Sequence, residues 1–327
     1  MPTPPTIDDV RRAAERIAGQ AVKTPLISNP QLDAIGGGPV LLKCENLQRT
    51  GSFKFRGAYN AIAALDQARR QQGIVAVSSG NHAQAVAEAA RLFGVPATII
   101  MPADAPRLKR ERTERSGGKV VSYDRAHDDR DAMAADYIAR HGGVLVHPYN
   151  DANVIAGQGA IGLEIAAECS ARGVTPAMAL VPAGGGGLSG GVGLALRAAY
   201  PNLRFRVVEP AGFDDYGRSL AAGTPVANAS AAGSICDALL APSPGALGFV
   251  LNRAAHAEGI AVTDEEALAA VAFAFRELKL VVEPGGAVGL AALLSGRVKV
   301  PGDGAIVVIL SGGNIDEATM TRALAGG

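Results

Sequence analysis

The chain has 327 residues, and its 31 basic and 31 acidic side chains give a formal net charge of zero. That balance excludes a protein that binds nucleic acid or an anionic membrane through bulk charge. With 48% hydrophobic residues the chain can bury a substantial core, yet no apolar run approaches the ~20 residues of a membrane span.

In chain order, the first clear pattern is an apolar helical spacing that follows TGSFKFRGAYN. GIVAVSS then reads as a strand leading into the helix HAQAVAEAARLFG, with Asn81 placed to cap it and Gly94 to end it. ATIIMP is a strand, followed by a charged helix from about Arg107. KVVSYD, a helix from about Asp128 to Arg140, and VLVHPY come next. NVIAGQGAIGLEIAAECSARG reads as a long helix and AMALVPA as a short buried strand. GGGGLSGGVGLALRAAY is a glycine loop that opens a helix. RFRVVEP is a strand, and DEEALAAVAFAFRELK is a helix by its i, i+3, i+4 apolar spacing. AIVVILSGG is the final strand, with a terminal helix from Asp316. This alternation predicts an α/β fold of mostly parallel sheets with flanking helices. The strands are too many for one small sheet, so two open sheets are expected. A stretch rich in Arg, Asp and Glu marks residues 73–150 as a smaller domain inserted into a larger one built from 1–72 and 151–327.

The opening MPTPPTIDDVRR has no cationic segment running into an apolar one, so no secretory signal is expected. Cys44, Cys169 and Cys236 are scattered, as buried thiols of a cytoplasmic protein would be, and no Cys/His cluster has zinc-ligand spacing. In parallel sheets, ligands bind at the carboxyl ends of strands. Four loops occupy such places: Ser78-Ser79-Gly80-Asn81-His82, Gly184-Gly185-Gly186-Gly187, Glu209-Pro210 and Ser311-Gly312-Gly313-Asn314. The glycine run between a strand and a helix can close backbone N–H groups on a phosphate. It also matches a dinucleotide fingerprint, Gly185-x-Gly187-x-x-Gly190, with Glu209 where a ribose-binding acid belongs. A nicotinamide-dependent dehydrogenase is therefore one alternative. Ser78 to His82 suits a carboxylate, or the loop is only a helix cap. Glu209, the Phe213 carbonyl and Asp215 could hold a hard cation, or the acids are merely solvated. Lys54 lies between Phe53 and Phe55, and a lysine dried by aromatics has a lowered pKa and can act as a nucleophile or base. A phosphate cradle and such an amine together point to pyridoxal phosphate.

The segments LKCENLQRTGSFKFRGA, SSGNHAQAVA, IAGQGAIGLEI, VPAGGGGLSGG, VVEP, LVVEPGGAVGLAA and SGGNID carry a resemblance. The chain resembles the fold-type II pyridoxal-phosphate enzymes of the serine/threonine dehydratase and serine racemase group. The matching segments keep the family order from about residue 23 to residue 316. The resemblance implies a tryptophan synthase β-like fold and a homodimer. It implies that Lys54 holds the cofactor as a Schiff base, with Phe53 near the pyridine ring and Asn81 on the ring 3′-oxygen. Gly184, Gly185, Gly186, Gly187 and Leu188 would hold the phosphate. Ser311 would face the pyridine nitrogen, and Glu283 would lie near the cofactor. Ser78, Ser79, Gly80, Asn81 and His82 would take the substrate carboxylate. Glu209, Phe213 and Asp215 would form a divalent-cation site for Mg²⁺, Ca²⁺ or Mn²⁺.

The implied reaction is dehydration of L-threonine or L-serine to a 2-keto acid and ammonia. Lys54 would remove the Cα proton, and Ser79 on the opposite face would allow some racemisation. The uncharged Ser311 would favour loss of the β-hydroxyl. Racemases of the group tend to read HPN where this chain has His147-Pro148-Tyr149. The family usually has Ala-Asp-Gly where this chain has Cys236-Asp237-Ala238. No C-terminal regulatory domain is expected. Arg130 is placed to meet a second substrate carboxylate, which keeps 3-hydroxyaspartate open as a substrate alongside serine racemisation. A solvated helix arginine is the plain alternative.

Overall fold

The computed structural model describes residues 3–105, 107–124, 127–230, 232–302 and 304–326. Ten strands among them form two open sheets flanked by helices. They are β1 (Leu26–Ser28), β2 (Val40–Cys44), β3 (Ile74–Val77), β4 (Ala97–Pro102), β5 (Gly118–Tyr123) and β6 (Val144–Leu145), then β7 (Pro176–Pro182), β8 (Arg204–Pro210), β9 (Glu258–Val262) and β10 (Ala305–Leu310). The six-stranded sheet runs β1-β2-β10-β7-β8-β9, and only β1 is antiparallel. The four-stranded sheet runs β5-β4-β3-β6 and is parallel throughout. Parallel neighbours need long crossovers, and the helices supply them.

The larger sheet is covered on both faces, so its strands are apolar on both sides. Leu41, Val181, Val207, Val307 and Ile309 enter one core. Leu42, Leu180, Val208, Val308 and Leu310 enter the other, the two-residue alternation of a strand. Each such side chain stabilises the fold by roughly 1.5–3 kcal/mol.

One helix contact sets the position of Lys54. The helices Lys54–Ala63 and Ala152–Ala171 cross so closely that a Cβ on Gly157 would stand 2.6 Å from the Arg56 carbonyl oxygen. The Gly57 N–H also donates to Gln158 Oε1 at 3.1 Å. IAGQG is therefore a packing motif. It lets the lysine-bearing helix lie directly on the long one.

Arg56 anchors the same junction. It is fully buried and donates to both oxygens of Glu45 at 2.8 Å. It also donates to both oxygens of Glu164, at 2.6 and 2.9 Å. Lys43 Nζ adds a 2.5 Å bond to Glu164, and Thr24 Oγ1 donates to Glu45 Oε1 at 2.5 Å. Two cations thus meet two carboxylates, with no net buried charge. Burial pushes Glu45 upward, but the Arg56 charge and hydrogen bonds, with Lys43 and Thr24, together outweigh it and hold the carboxyl below its usual range.

Two local expectations are corrected, and three strands are found that the sequence pattern did not show. Asn81 does not cap its helix: Gly80 holds the cap position, and the Asn81 side chain is engaged elsewhere. The segment DEEALAAVAFAFRELK is α-helical only to Phe273, then widens to a π turn over Ala274–Leu278 and stops at the left-handed Lys279. Strands β1, β2 and β9 were not legible in the pattern; β2 carries Lys43 in its middle and β9 begins with Glu258 and Gly259. Among the described residues, no helix is long and apolar enough to cross a membrane.

Candidate active site

Three of the four loops expected at strand ends, those after β3, β7 and β10, line one cavity of about 260 Å³. Glu209-Pro210 does not line it. The convergence follows from backbone pairing. Phe53 N–H donates to Ser311 O at 3.1 Å, Ser52 bridges Gly312, and Gly313 N–H donates to Gly51 O at 2.8 Å. Glu283 N–H donates to Gly312 O at 3.0 Å from the other side. The loop after β10 is thereby held between the Lys54 segment and the Glu283 segment, and all three border the cavity.

Lys54 keeps a face on the cavity, and its Nζ donates to Pro148 O at 2.9 Å and lies 5.1 Å from the Phe53 ring centroid. Burial lowers the amine to about 8, with the Glu283 charge acting in the opposite direction. A substantial neutral fraction near physiological pH makes it a competent nucleophile and base. Phe55 faces away into the core with Tyr59.

Asn81 Nδ2 donates to Glu283 Oε1 at 2.6 Å, and Asn81 Oδ1 accepts from Asn314 Nδ2 at 2.7 Å. Glu283 is buried, and burial raises it to about 7. His82 also lines the cavity. Burial, with help from the Lys54 charge, lowers it to about 3, so the ring is neutral. Its Nε2–H donates to Val146 O at 2.8 Å, which leaves the buried Nδ1 as an unpaired acceptor. Ser78 Oγ accepts from Gly80 N–H at 3.2 Å, while Ser79 and Ser311 present hydroxyls to the same cavity.

The glycine loop ends in the helix Gly187–Ala199, whose first N–H groups have no partner within the helix. Its glycines have a second cause that the sequence did not reveal. A Cβ on Gly185 would overlap the Tyr149 ring, and Gly186 has φ +82 with the Tyr216 hydroxyl against it. Two tyrosines thus press on the loop, while its amides have no partner among the described residues and are open to an anion, helped by the helix dipole.

Arg130, Lys109 and Arg112 border the cavity from the side of the four-stranded sheet. Arg130 opens the helix Arg130–His141 and is half exposed, and Lys109 pairs with Asp237 across the mouth. Lys109 is not among the residues expected from the sequence, and Asn314 is expected there only as the last residue of a loop. Lys109 looked like one more charge on a charged helix, and the partner of Asn314 lies 233 residues away.

The expected metal residues lie behind the glycine loop. Glu209 is fully buried, and its two oxygens accept from Tyr216 and Gly217 N–H at 2.9 and 2.8 Å. Burial raises it well above the usual carboxylate range. Asp215 is also raised by burial, to about 6, and its Oδ2 is buried without a hydrogen-bond partner among the described residues. Phe213 follows Glu209 in the same loop with its ring packed inside. Two desolvated carboxylates with one orphan oxygen fit a hard cation. Glu209 is fully buried and does not line the cavity that the glycine loop borders, so it is not placed to hold the ribose of a nucleotide bound there, which removes the dinucleotide alternative.

The donor set fits pyridoxal phosphate: free amides for the phosphate, an amine for the aldehyde, the Asn81 amide for a ring oxygen and a hydroxyl for the ring nitrogen. Comparison with known proteins agrees. Residues 17–312 match the family described as "Pyridoxal-phosphate dependent enzyme". The chain is 41% identical to an L-threo-3-hydroxyaspartate ammonia-lyase from a Pseudomonas species, covering 94% of this chain and 95% of that one. It is 39% identical to an L-threonine ammonia-lyase from Thermotoga maritima, covering 98% and 78% of the two chains. The solved structure of maize serine racemase superposes with a TM-score of 0.92 at 37% identity, covering 99% and 98%.

Proposed function

The chain belongs to the pyridoxal-phosphate dependent enzymes, and on that premise we propose that it is an ammonia-lyase converting L-threonine or L-serine to a 2-keto acid and ammonia. The observation that carries the proposal is the Lys54 amine, lowered to about 8, in one cavity with the open glycine loop. When bound, pyridoxal phosphate spreads the charge left as an amino acid loses its Cα proton. Lys54 takes that proton as general base. Gly184 to Leu188 would hold the phosphate, the Asn81 amide would serve the ring oxygen, and Phe53 would border the ring. Ser311 would offer the ring nitrogen an uncharged hydroxyl, which would limit delocalisation and favour loss of the β-hydroxyl. Ser78, Ser79, Gly80 and His82 hold the substrate carboxylate, and Ser79 is the acid/base on the opposite face. Glu209, the Phe213 carbonyl and Asp215 would hold a divalent cation beside Tyr216, whose hydroxyl lies against Gly186 of the glycine loop. A cytoplasmic homodimer completes the proposal.

A second substrate has specific support. Arg130 and Arg112 border the cavity beside Asp131 and the Lys109–Asp237 pair, and a guanidinium there suits the extra carboxylate of 3-hydroxyaspartate, the substrate named for the 41% identical relative. The test is a keto-acid assay with L-threonine, L-serine and both 3-hydroxyaspartate diastereomers, with D-amino-acid formation followed in parallel. Keto acid from at least one substrate is expected. Racemisation without keto acid would overturn the lyase assignment.

A further inference from the structure

We infer that Thr50, Asn314 and Glu283 are positioning residues that lock the Asn81 amide with one N–H directed into the cavity. The inference rests on the proposed cofactor site and deepens it. An asparagine amide can face either way, and only its partners decide. Here the decision starts at a group with no ambiguity. The Thr50 backbone carbonyl can only accept, and Asn314 Nδ2 lies 2.8 Å from it. That fixes Asn314 with its nitrogen inward. The same nitrogen is 2.7 Å from Asn81, which must therefore present its oxygen. The Asn81 nitrogen is then turned to Glu283 Oε1 at 2.6 Å. Both Asn314 hydrogens are spent. One of the two Asn81 hydrogens is spent, and the other has no partner among the described residues while Asn81 borders the cavity.

The first member of this chain is strained. Thr50 has φ +64 and ψ +10, a left-handed conformation that a β-branched residue adopts at a cost. Gly51 follows at φ +76, where a Cβ would stand 2.7 Å from Asn314 Oδ1. The strained turn aims the Thr50 carbonyl and leaves room for Asn314. Glu283 is costly in another way, as a carboxyl held buried at a cavity wall. Accepting from one Asn81 N–H, it polarises the amide and strengthens the remaining N–H as a donor. An acceptor on the bound cofactor, its ring oxygen, is the matching group.

The test is titration of the cofactor-free protein with pyridoxal phosphate, reading affinity and the position of the visible absorbance band. Glu283→Leu removes the acceptor and should weaken binding by about tenfold, the scale of one lost charge-assisted hydrogen bond; it should also displace the band. Glu283→Gln keeps an acceptor oxygen and should restore most of both. Asn314→Asp sets acceptors against both ends of the Asn81 amide, should release its fixed orientation, and should displace the band as Glu283→Leu does. Because Asn314→Asp also opposes the Thr50 carbonyl and could impair folding, the Glu283 pair decides alone if that variant is not recovered. Wild-type affinity and an unmoved band in Glu283→Leu, or equal losses in the Leu and Gln variants, would overturn the positioning role. Failure of the unaltered protein to bind pyridoxal phosphate would overturn the cofactor site itself.

Discussion

Replacing Arg56 by methionine should cost the fold about 3–5 kcal/mol at neutral pH, although the side chain touches no part of the cavity. Arg56 is fully buried, and four short bonds tie it to Glu45 and Glu164. Methionine fills some of the volume but leaves Glu45, itself fully buried, with Thr24 as its remaining side-chain donor. The stranded carboxylate dominates the loss. The pH dependence follows from its sign. In the intact protein Glu45 is held below its ordinary value by Arg56, so its stabilising contribution is present above the unfolded pKa and fades as pH falls through the folded one. In Arg56→Met the carboxyl is instead raised by burial, and it carries a penalty at neutral pH that protonation relieves. Urea unfolding at pH 7.5 and near pH 5 should show the gap between the two proteins shrinking in acid. Adding Glu45→Gln to Arg56→Met should recover part of the loss, because the pair is coupled. A variant within about 1 kcal/mol of the parent, or a gap independent of pH, would refute the reasoning.

Lys54 should behave in the opposite way. Its pKa falls from 10.5 to about 8 through burial, so the unfolded chain binds more protons between those values and stability rises with pH across that window. Lys54→Met should therefore leave the cofactor-free protein at pH 7 no less stable, with a gain of up to ~3 kcal/mol, while abolishing keto-acid formation; marked destabilisation in thermal unfolding would contradict this. Millimolar Mg²⁺, Ca²⁺ or Mn²⁺ should raise the thermal midpoint of the protein but not that of Asp215→Asn, and no response to any of the three would remove the cation site. Arg130→Met should raise KM for 3-hydroxyaspartate by about ten- to a hundredfold, the scale of a lost charged hydrogen bond, with KM for threonine little changed; equal effects on both would deny Arg130 a role in selecting the substrate.

The alternation of strands and helices was legible because each buried strand is a short apolar run and each helix shows its own period. The loops around Lys54, Asn81, Gly184 and Ser311 were legible because glycine and small polar residues at strand ends have few other uses. What stayed hidden depended on partners distant in sequence. Arg56 had no assigned chemistry, since Glu164 lies 108 residues away. Asn81 looked like a helix cap, and only the fold shows its side chain drawn to Glu283 and Asn314. Glu209 sat at a strand end like the other loops, yet its carboxylate turns back onto the next helix. The glycine run was read as a phosphate cradle, and nothing in its spacing told of Tyr149 and Tyr216 pressed against it.

The central claim is that Lys54 is the residue through which this chain holds pyridoxal phosphate. The direct measurement is borohydride reduction of the cofactor-loaded protein, followed by peptide mass spectrometry. A single pyridoxyl adduct on Lys54, absent from Lys54→Met, is the predicted result. An adduct on another lysine, or no adduct at all, would contradict it.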